Sequence, residues 1–394
     1  MGSSMLWEWM AAIGWSVGSV AGGIALYRKV RFFSTVWGII IIAVGGLLSG
    51  ALHNFLNALF SIDEPFFFLL AIFGIGMTPI LVAQWVFEEG FHLYRQWNKR
   101  GGTDRMPGMN DETLYADVNG IRIAYERGGS GYPLLLIHGY PETRRMWRQV
   151  ADALTARFDV VSMDLRGYGD SDRPSDELSY DKRTMAEDAH GLAVHLGWDK
   201  FLVAGHDRGG RTARRLAADH PESVVGATLL DILPLEWVYN QGKDGYARRY
   251  WHWYFHLQRG LAERLINSDP SAYVNHLFAR RGDVLDPENV AHYKEVFARP
   301  GSVDATLADY RTAFDVDRPR WTEEVAAGHK ITVPLQILWG EYGNLNDEPT
   351  LEIWREVAED VRGEVIPGSG HYIPEEQPET AIRMMNEFAD ELGL

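Results

Sequence analysis

The 394-residue sequence contains no cysteine, so disulfide bonds cannot hold any part of it together, and it carries no disulfide evidence for an exported domain. It also has no Lys or Arg before Arg28. A secretory signal peptide consists of one short apolar stretch behind basic residues. The N-terminal region instead repeats its apolar stretch three times, which argues against a signal peptide.

Charged residues are scarce in these three apolar runs, at about 6–27, 35–60 and 65–87. Each has the ~20 residues that a helix needs to cross a bilayer, so we predict an all-α transmembrane region over residues 1–97. Basic residues cluster between the first two runs and after the third. Because basic flanks stay in the cytoplasm, we expect a multi-pass protein of the cell (inner) membrane, with its N-terminus outside and the rest of the chain in the cytoplasm.

Small residues in the second run, at 43–54, would allow helices to pack closely, so a homo-oligomer is plausible. Net positive charge is lacking after the membrane region. Residues 1–110 hold 7 of the 38 Lys and Arg and 6 of the 54 Asp and Glu, which leaves 31 basic and 48 acidic residues from 111 onwards. Such an acidic segment disfavours nucleic acid as a partner. The lipid bilayer is therefore expected to contact only the N-terminal helices.

The composition of residues 98–111 predicts a linker, and from residue 112 the chain alternates apolar strand-like segments with helical patterns. The continuously apolar later segments predict an α/β fold with an eight-stranded, mostly parallel sheet. Residues 234–333 lack strand-like alternation and predict a helical cap between two core segments, 112–233 and 334–394. The predicted strands are 113–118, 121–126, 133–138, 158–164, 201–205, 224–231, 334–340 and 362–368.

The segment "AGHDRGGRTARR" has Asp207 where most hydrolases with a Gly-x-nucleophile-x-Gly turn carry serine. The alternative is an ordinary strand-to-helix turn with a capping Asp. His371, in "GSGHYIPEE" just past the eighth strand, is placed to act as general base. The backbone N–H groups of Tyr140 and Arg208 are the expected oxyanion donors, whereas His138 and His206 are expected to be structural.

A carboxylate is needed to orient His371, and the turn after the seventh strand lacks the usual Gly-x-x-Asp, because Gly343 occupies the Asp position. Glu341 and Asp347 are nearby alternatives. We favour Asp231, after the sixth strand, as the third member of the triad.

A carboxylate nucleophile displaces leaving groups from saturated carbon and forms an alkyl ester. Water activated by the histidine then hydrolyses that ester. Cleavage of a carbon–halogen bond and opening of an epoxide both fit this chemistry. We expect neither a metal ion nor a cofactor.

From about residue 112 to the C-terminus the sequence resembles the fluoroacetate/haloacetate dehalogenases of the α/β-hydrolase superfamily. The resemblance implies an α/β-hydrolase fold with a helical cap, a small anionic haloacid substrate held by Arg208 and Arg211, and a halide held by His252, Trp253 and Tyr310. Tyr293 is an alternative to Tyr310, and the other cap aromatics, such as Trp251, Tyr254 and Trp237, are expected to pack in the core. The motifs that carry the resemblance are "HGYPE", "DLRGYGDSDRP", "GHDRGGRTA", "LDILP", "YWHWYF" and "GSGHYIPEE".

Three functions remain open at this stage. The first is a membrane-anchored haloacetate dehalogenase that converts fluoroacetate or chloroacetate into glycolate and halide. The second is an epoxide hydrolase that uses the same nucleophile, although such enzymes more often have Trp after it. The third is a non-catalytic membrane protein with a hydrolase-like binding domain, which the complete set of Asp207, Asp231 and His371 disfavours. A haloalkane dehalogenase fits less well, because Tyr140 and Arg208 replace its usual halide-binding residues.

Overall fold

A computed structural model describes residues 108–110, 112–241, 248–279 and 284–394. They belong to one compact unit that extends from Thr103 to Leu394. The three predicted membrane spans lie outside these residues. Within the described part, every helix is too short or too polar to traverse a bilayer.

One eight-stranded sheet organises this unit, in the order β1-β2-β4-β3-β5-β6-β7-β8. The first two strands pair antiparallel, and β2 also runs antiparallel to β4, whereas the other neighbours are parallel. The prediction of an eight-stranded, mostly parallel sheet is therefore confirmed. Its strands are β1 (Leu114–Val118), β2 (Ile121–Gly128), β3 (Tyr132–Ile137), β4 (Phe158–Met163), β5 (Phe201–His206), β6 (Val224–Leu230), β7 (Leu335–Gly340) and β8 (Val361–Ile366).

Burial of the strands follows their apolar content. Every residue of β4 and β5 is buried, whereas β1 at the edge alternates between exposed and buried positions. This is the pattern of central parallel strands that are covered by helices on both faces. The hairpin predicted at Asn119 and Gly120 is present, and both residues adopt the positive φ, 48° and 75°, of a tight two-residue turn.

Helices connect the parallel strands and fill the described part of the segment between β6 and β7. The boundaries 234 and 333 of a separate cap stay a prediction. The α-helices are α1 (Arg148–Leu154), α2 (Lys182–His195), α3 (Asp207–Asp219), α4 (Leu235–Tyr239), α5 (Trp251–His256), α6 (Leu261–Ser268), α7 (Pro270–Phe278), α8 (Pro287–Phe297), α9 (Ser302–Thr312), α10 (Arg318–Ala326), α11 (Thr350–Val357), α12 (Ile373–Glu376) and α13 (Pro378–Glu391). Short 3₁₀ segments occur at Arg144–Trp147 and Glu177–Tyr180, and a π-helical turn at Ala313–Asp317.

A buried ionic cluster joins α9 to α2 and α3. Asp309 on α9 is fully buried, and its carboxylate accepts hydrogen bonds from Lys182 on α2, Arg208 on α3 and the Tyr168 hydroxyl, the last at 3.0 Å. Two cations and a phenol satisfy a charge that would be strongly unfavourable alone in the interior. The cluster therefore fixes α9 relative to the start of α3.

The turn from β5 into α3 is built on glycines that leave no space for a side chain. A Cβ at Gly209 would lie 2.3 Å from the carbonyl oxygen of His138, and one at Gly205 would lie 2.4 Å from the carbonyl oxygen of Gly209. Because these contacts are with backbone, no side-chain rotation relieves them. The first turn of α3 can therefore approach β3 and β5 only with glycine at these positions.

We predict that Gly209→Ala lowers the stability of the folded unit by about 1–3 kcal/mol, because the added methyl overpacks against backbone oxygens. Circular dichroism of the full-length protein should show a lower midpoint of thermal unfolding. Gly197→Asn is the control, since this site has open space and a φ of 77° that Asn tolerates. Equal midpoints for the two variants would contradict the packing argument.

Candidate active site

Asp207 is the first residue of α3 and has a φ of 45°, in the region that non-glycine residues rarely adopt. Its Oδ2 accepts a hydrogen bond of 3.1 Å from the backbone N–H of Tyr140. The Arg208 N–H lies in the first turn of α3, where backbone donors lack an intrahelical acceptor. The structure thus brings one predicted oxyanion donor onto Asp207 and leaves the other at the helix N-terminus beside it.

His371 and Asp231 meet at this end of the sheet. The Nδ1 of His371 lies 2.6 Å from Oδ2 of Asp231, whose Oδ1 accepts the Gly340 N–H at 3.2 Å. Gly343 explains why this carboxylate comes from the end of β6, because a Cβ at residue 343 would lie 2.8 Å from Asp231 Oδ1. The turn after β7 therefore has glycine in place of the usual acid, and this glycine leaves the space that the Asp231 carboxylate occupies.

The electrostatics of the site keep Asp207 ionised. Burial raises the pKa of the Asp207 carboxyl, but the positive charges of His371 and the two arginines outweigh burial and lower it to about 2. Burial lowers the pKa of His371, but the hydrogen bond and charge of Asp231, together with Asp207, raise it to about 9. At neutral pH the resting site therefore holds a carboxylate next to an imidazolium.

Asp207, Asp231 and His371 line a cavity of about 310 Å³. Its other lining groups come from α3, α5, α7, α9 and the loops after β3, β6, β7 and β8. Tyr140, Arg211, His252, Trp253 and Tyr310 are among them. Most predicted site residues therefore surround one cavity, and Arg208 is the exception.

Arg208 and Arg211 have different surroundings although they lie one helical turn apart. The Arg208 guanidinium is completely buried, donates from Nε and Nη2 to Asp309, and lies 4.2 Å from the centre of the Tyr310 ring. Its Nη1 has no hydrogen-bond partner among the described residues. Arg211 lines the cavity, donates through Nη1 to the Leu233 carbonyl at 3.1 Å, and stacks 4.8 Å from the Trp253 ring. Asp309 therefore neutralises Arg208, whereas Arg211 faces the cavity, and the expectation that both hold a substrate carboxylate stays a prediction.

The three residues expected at the leaving group converge on one side of the cavity. The rings of His252 and Trp253 lie 5.9 Å and 6.4 Å from the Tyr310 ring. Burial lowers the pKa of His252 to about 4, so it is a neutral donor near pH 7. Tyr293, the alternative to Tyr310, does not line the cavity, and its hydroxyl donates to Glu375 Oε1 at 3.1 Å.

The expectation that the other cap aromatics pack in the core is wrong for two of them. Trp251 is 38% exposed and lines the cavity, and Tyr254 is 42% exposed. Both lie on α5, which is only six residues long. A helix this short exposes aromatic side chains on more than one face, and neighbouring residues in "YWHWYF" therefore differ in burial.

A buried acid pair behind His371 has no counterpart among the predicted site residues. His206 Nε2 lies 2.8 Å from the carbonyl oxygen of His371 and must donate, so neutral His206 accepts at Nδ1 from Glu142, 3.0 Å away. Burial raises the pKa of Glu142 to about 8, which fits a protonated donor. Burial and the nearby Glu142 likewise raise the pKa of Glu375 to about 8. The motifs "HGYPE" and "IPEE" contain both acids, but only the fold brings them together.

His138 is structural, as predicted. It is fully buried, its Nε2 accepts the Leu165 N–H at 3.1 Å, and its Nδ1 donates to the Gly139 carbonyl at 2.7 Å. Both ring nitrogens are therefore occupied by backbone groups. No proton position is left for catalysis.

Within the described residues, metal-ligand spacing occurs at Glu187, His190 and His220, whose candidate ligand atoms lie within 4.8 Å of one another. None of them lines the cavity. The two imidazole rings stack with centroids 3.8 Å apart and planes 13° apart. Parallel rings cannot both direct a nitrogen lone pair at one ion. This arrangement is a stacked, hydrogen-bonded cluster as it stands.

A family model described as the alpha/beta hydrolase fold matches residues 132–378, more than half of the chain. The chain therefore belongs to the α/β-hydrolase family. Its eight-stranded sheet and its turn from β5 into α3 have the form expected of that fold.

Similarity extends to two kinds of enzyme. The chain is 35% identical over 286 residues to a fluoroacetate dehalogenase of a Burkholderia species, covering 70% of this chain and 93% of that protein. It is 38% identical over 275 residues to a soluble epoxide hydrolase of Corynebacterium strain C12, covering 68% and 93%. Among solved structures, Cfl2 of Burkholderia cenocepacia matches with a TM-score of 0.64 and 31% identity over 71% of this chain and 96% of that chain.

We predict that Asp207→Asn lowers the pKa of His371 below about 9, because it removes a carboxylate that favours the imidazolium. The elevated pKa contributes stability that is fully present below the ordinary value of about 6.5 and is lost as pH rises through about 9. In the variant, the stability that His371 contributes should be lost over a narrower pH range, because the lowered pKa lies closer to the ordinary value. Titration of the His371 ring by NMR measures the change, with the exposed Asp304→Asn as control. An unchanged midpoint in Asp207→Asn would contradict the assigned coupling.

Proposed function

We propose that the protein is a hydrolase that attacks saturated carbon with Asp207 and releases halide from a small anionic 2-haloacid such as fluoroacetate or chloroacetate. The observation that carries the proposal is the position of the ionised Asp207 carboxylate, between the Tyr140 N–H and the His371–Asp231 pair, with Arg211 in the same cavity. Arg211 supplies a cation for the substrate carboxylate.

In the first step an oxygen of Asp207 forms a bond to the substrate carbon, and the carbon–halogen bond breaks with its electron pair leaving on the halide. His252, Trp253 and Tyr310 would donate hydrogen bonds to the departing anion. Asp207 loses its charge in the ester, so His371 is no longer held protonated by it. This change allows His371 to release its proton and become a base.

In the second step His371 removes a proton from water, and the resulting hydroxide attacks the Asp207 carboxyl carbon. The N–H groups of Tyr140 and Arg208 would stabilise the tetrahedral oxyanion. Cleavage of the ester bond releases the 2-hydroxy acid, glycolate for a haloacetate, which receives the proton from His371. The acid proton left on Asp207 passes to His371, so the carboxylate and imidazolium of the resting site return and no cofactor takes part.

An epoxide hydrolase is the second candidate. The side chains that favour it are Tyr310 and His252, because an epoxide oxygen must gain a proton as its ring opens, and both line the cavity with Asp207. Burial raises the pKa of Tyr310 well above its usual value, so its hydroxyl stays protonated until an alkoxide forms. The same ester intermediate and the same second step would follow.

We predict that His371→Ala accumulates an ester on Asp207, because loss of the general base should slow hydrolysis by about 10²–10⁴-fold. Mass spectrometry of the full-length protein after incubation with chloroacetate should show a carboxymethyl adduct on the Asp207 peptide. A parallel incubation with styrene oxide tests the second candidate. The double variant that adds Asp207→Asn is the control. Absence of an adduct with either compound would support the non-catalytic binding alternative and contradict an enzymatic role.

We also propose that residues 1–97 anchor the protein in the cell membrane, with the hydrolase unit in the cytoplasm, on the basis of the three apolar runs and their basic flanks. The full-length protein should stay in the membrane fraction after an alkaline carbonate wash. Release into the supernatant would contradict the anchor. Protease protection in intact cells, compared with inverted vesicles, would test which side carries the hydrolase unit.

A further inference from the structure

The cavity is large for the smallest substrate considered above. A haloacetate has only five non-hydrogen atoms, and even if each took the ~30 Å³ of a water molecule in the liquid, they would fill about half of the 310 Å³. Cavities near this size commonly enclose ligands of drug size. A haloacetate beside Asp207 would therefore leave space for a substituent.

Apolar and polar side chains both line the cavity, and Arg248, Arg249 and His276 are among the polar ones. Ile232 and Leu345, 2% and 1% exposed, line it from the side of the sheet, and Leu277 on α7 and Trp251 on α5 line it from the helical side. The apolar side chains gain free energy by covering an apolar group of a ligand.

Arg211 makes the opposite demand at the catalytic end. The residue is 6% exposed, and its Nε has no hydrogen-bond partner among the described residues. Burial and the neighbouring Arg208 lower the pKa of Arg211, which indicates an unfavourable environment for its charge. Asp207 offsets part of this charge, and an anionic group bound there would compensate it further, which a neutral ligand would not.

We infer that the cavity selects a carboxylate whose neighbouring saturated carbon is electrophilic and whose chain continues into an apolar, aryl-sized substituent. This inference rests on the proposed function and names its substrate class. The electrophile can be a 2-halo acid, which releases halide, or a 2,3-epoxy acid, whose ring C–O bond breaks and whose oxygen takes the Tyr310 proton. In the second case the proton that His371 releases after ester formation restores Tyr310. In both cases Asp207 forms the ester, and water restores it.

The first test compares acids with neutral molecules of the same shape, using the full-length protein. We expect kcat/KM for 3-phenylglycidate or 2-bromo-3-phenylpropanoate to exceed that for chloroacetate by at least about 10-fold. The phenylglycidate should also exceed β-methylstyrene oxide, which has methyl in place of carboxylate. Halide release and diol formation distinguish the two electrophiles.

Arg211→Gln should reduce the ratio of kcat/KM for phenylglycidate to that for β-methylstyrene oxide by about 10–100-fold, because only the acid loses a charged hydrogen bond. A general structural defect would lower both values together and leave the ratio unchanged. An unchanged ratio would therefore overturn the assignment of Arg211 as the carboxylate receptor.

Leu277→Trp fills part of the cavity beside the apolar side chains. It should lower the ratio of kcat/KM for 2-bromo-3-phenylpropanoate to that for chloroacetate by at least about 10-fold. Leu265→Trp, at a 51% exposed position on α6, is the matched control and should leave the ratio as it is. Preference for chloroacetate in the unmodified protein would overturn the inference and leave the proposed function standing. Lack of turnover of every compound would contradict the proposed function itself.

Discussion

The constraint on which the site depends is the burial of an ionised carboxylate, that of the proposed nucleophile Asp207. A carboxylate inside a protein favours its neutral form unless fixed positive charges or hydrogen bonds compensate for lost water. Asp207 receives the Tyr140 N–H and the charges of His371 and the arginines, and these outweigh burial. This need for compensation explains the glycine-rich turn, because only a close approach of α3 to β3 brings the Asp207 carboxylate to these partners.

Compensation of charge also explains how the helical layer takes part in the site. Asp309 on α9 binds Arg208 and Lys182, so one ionic cluster holds together helices that are more than a hundred residues apart in sequence. The next residue after Asp309 is Tyr310, which lines the cavity. The contact that neutralises Arg208 therefore also positions the proposed donor for the leaving group, and Arg211 remains as a cavity cation that favours the ionised Asp207.

Local patterns predicted the strands, the hairpin and the turn at Asp207, since each depends on neighbouring residues. Asp231 could be predicted as the partner of His371 because a missing acid at Gly343 is visible in the sequence. The pairing of Arg208 with Asp309 could not be predicted, since the two residues are 101 positions apart in the sequence. The Glu142–Glu375 pair was missed for the same reason, because the raised pKa values of two neighbouring acids depend on three-dimensional proximity and burial. Trp251 was misjudged because composition does not show which face of a short helix lies over a cavity.

Similarity to both a dehalogenase and an epoxide hydrolase fits the chemistry proposed for this arrangement. Both reactions need the same nucleophile, base and oxyanion donors, and they differ only in the charge and proton demand of the leaving group. A departing halide needs hydrogen bonds, whereas an opening epoxide needs hydrogen bonds and one proton. The neutral His252 and the protonated Tyr310 meet either demand. Discrimination among substrates therefore falls on the parts of the cavity that do not react, which are the cation at Arg211 and the apolar walls.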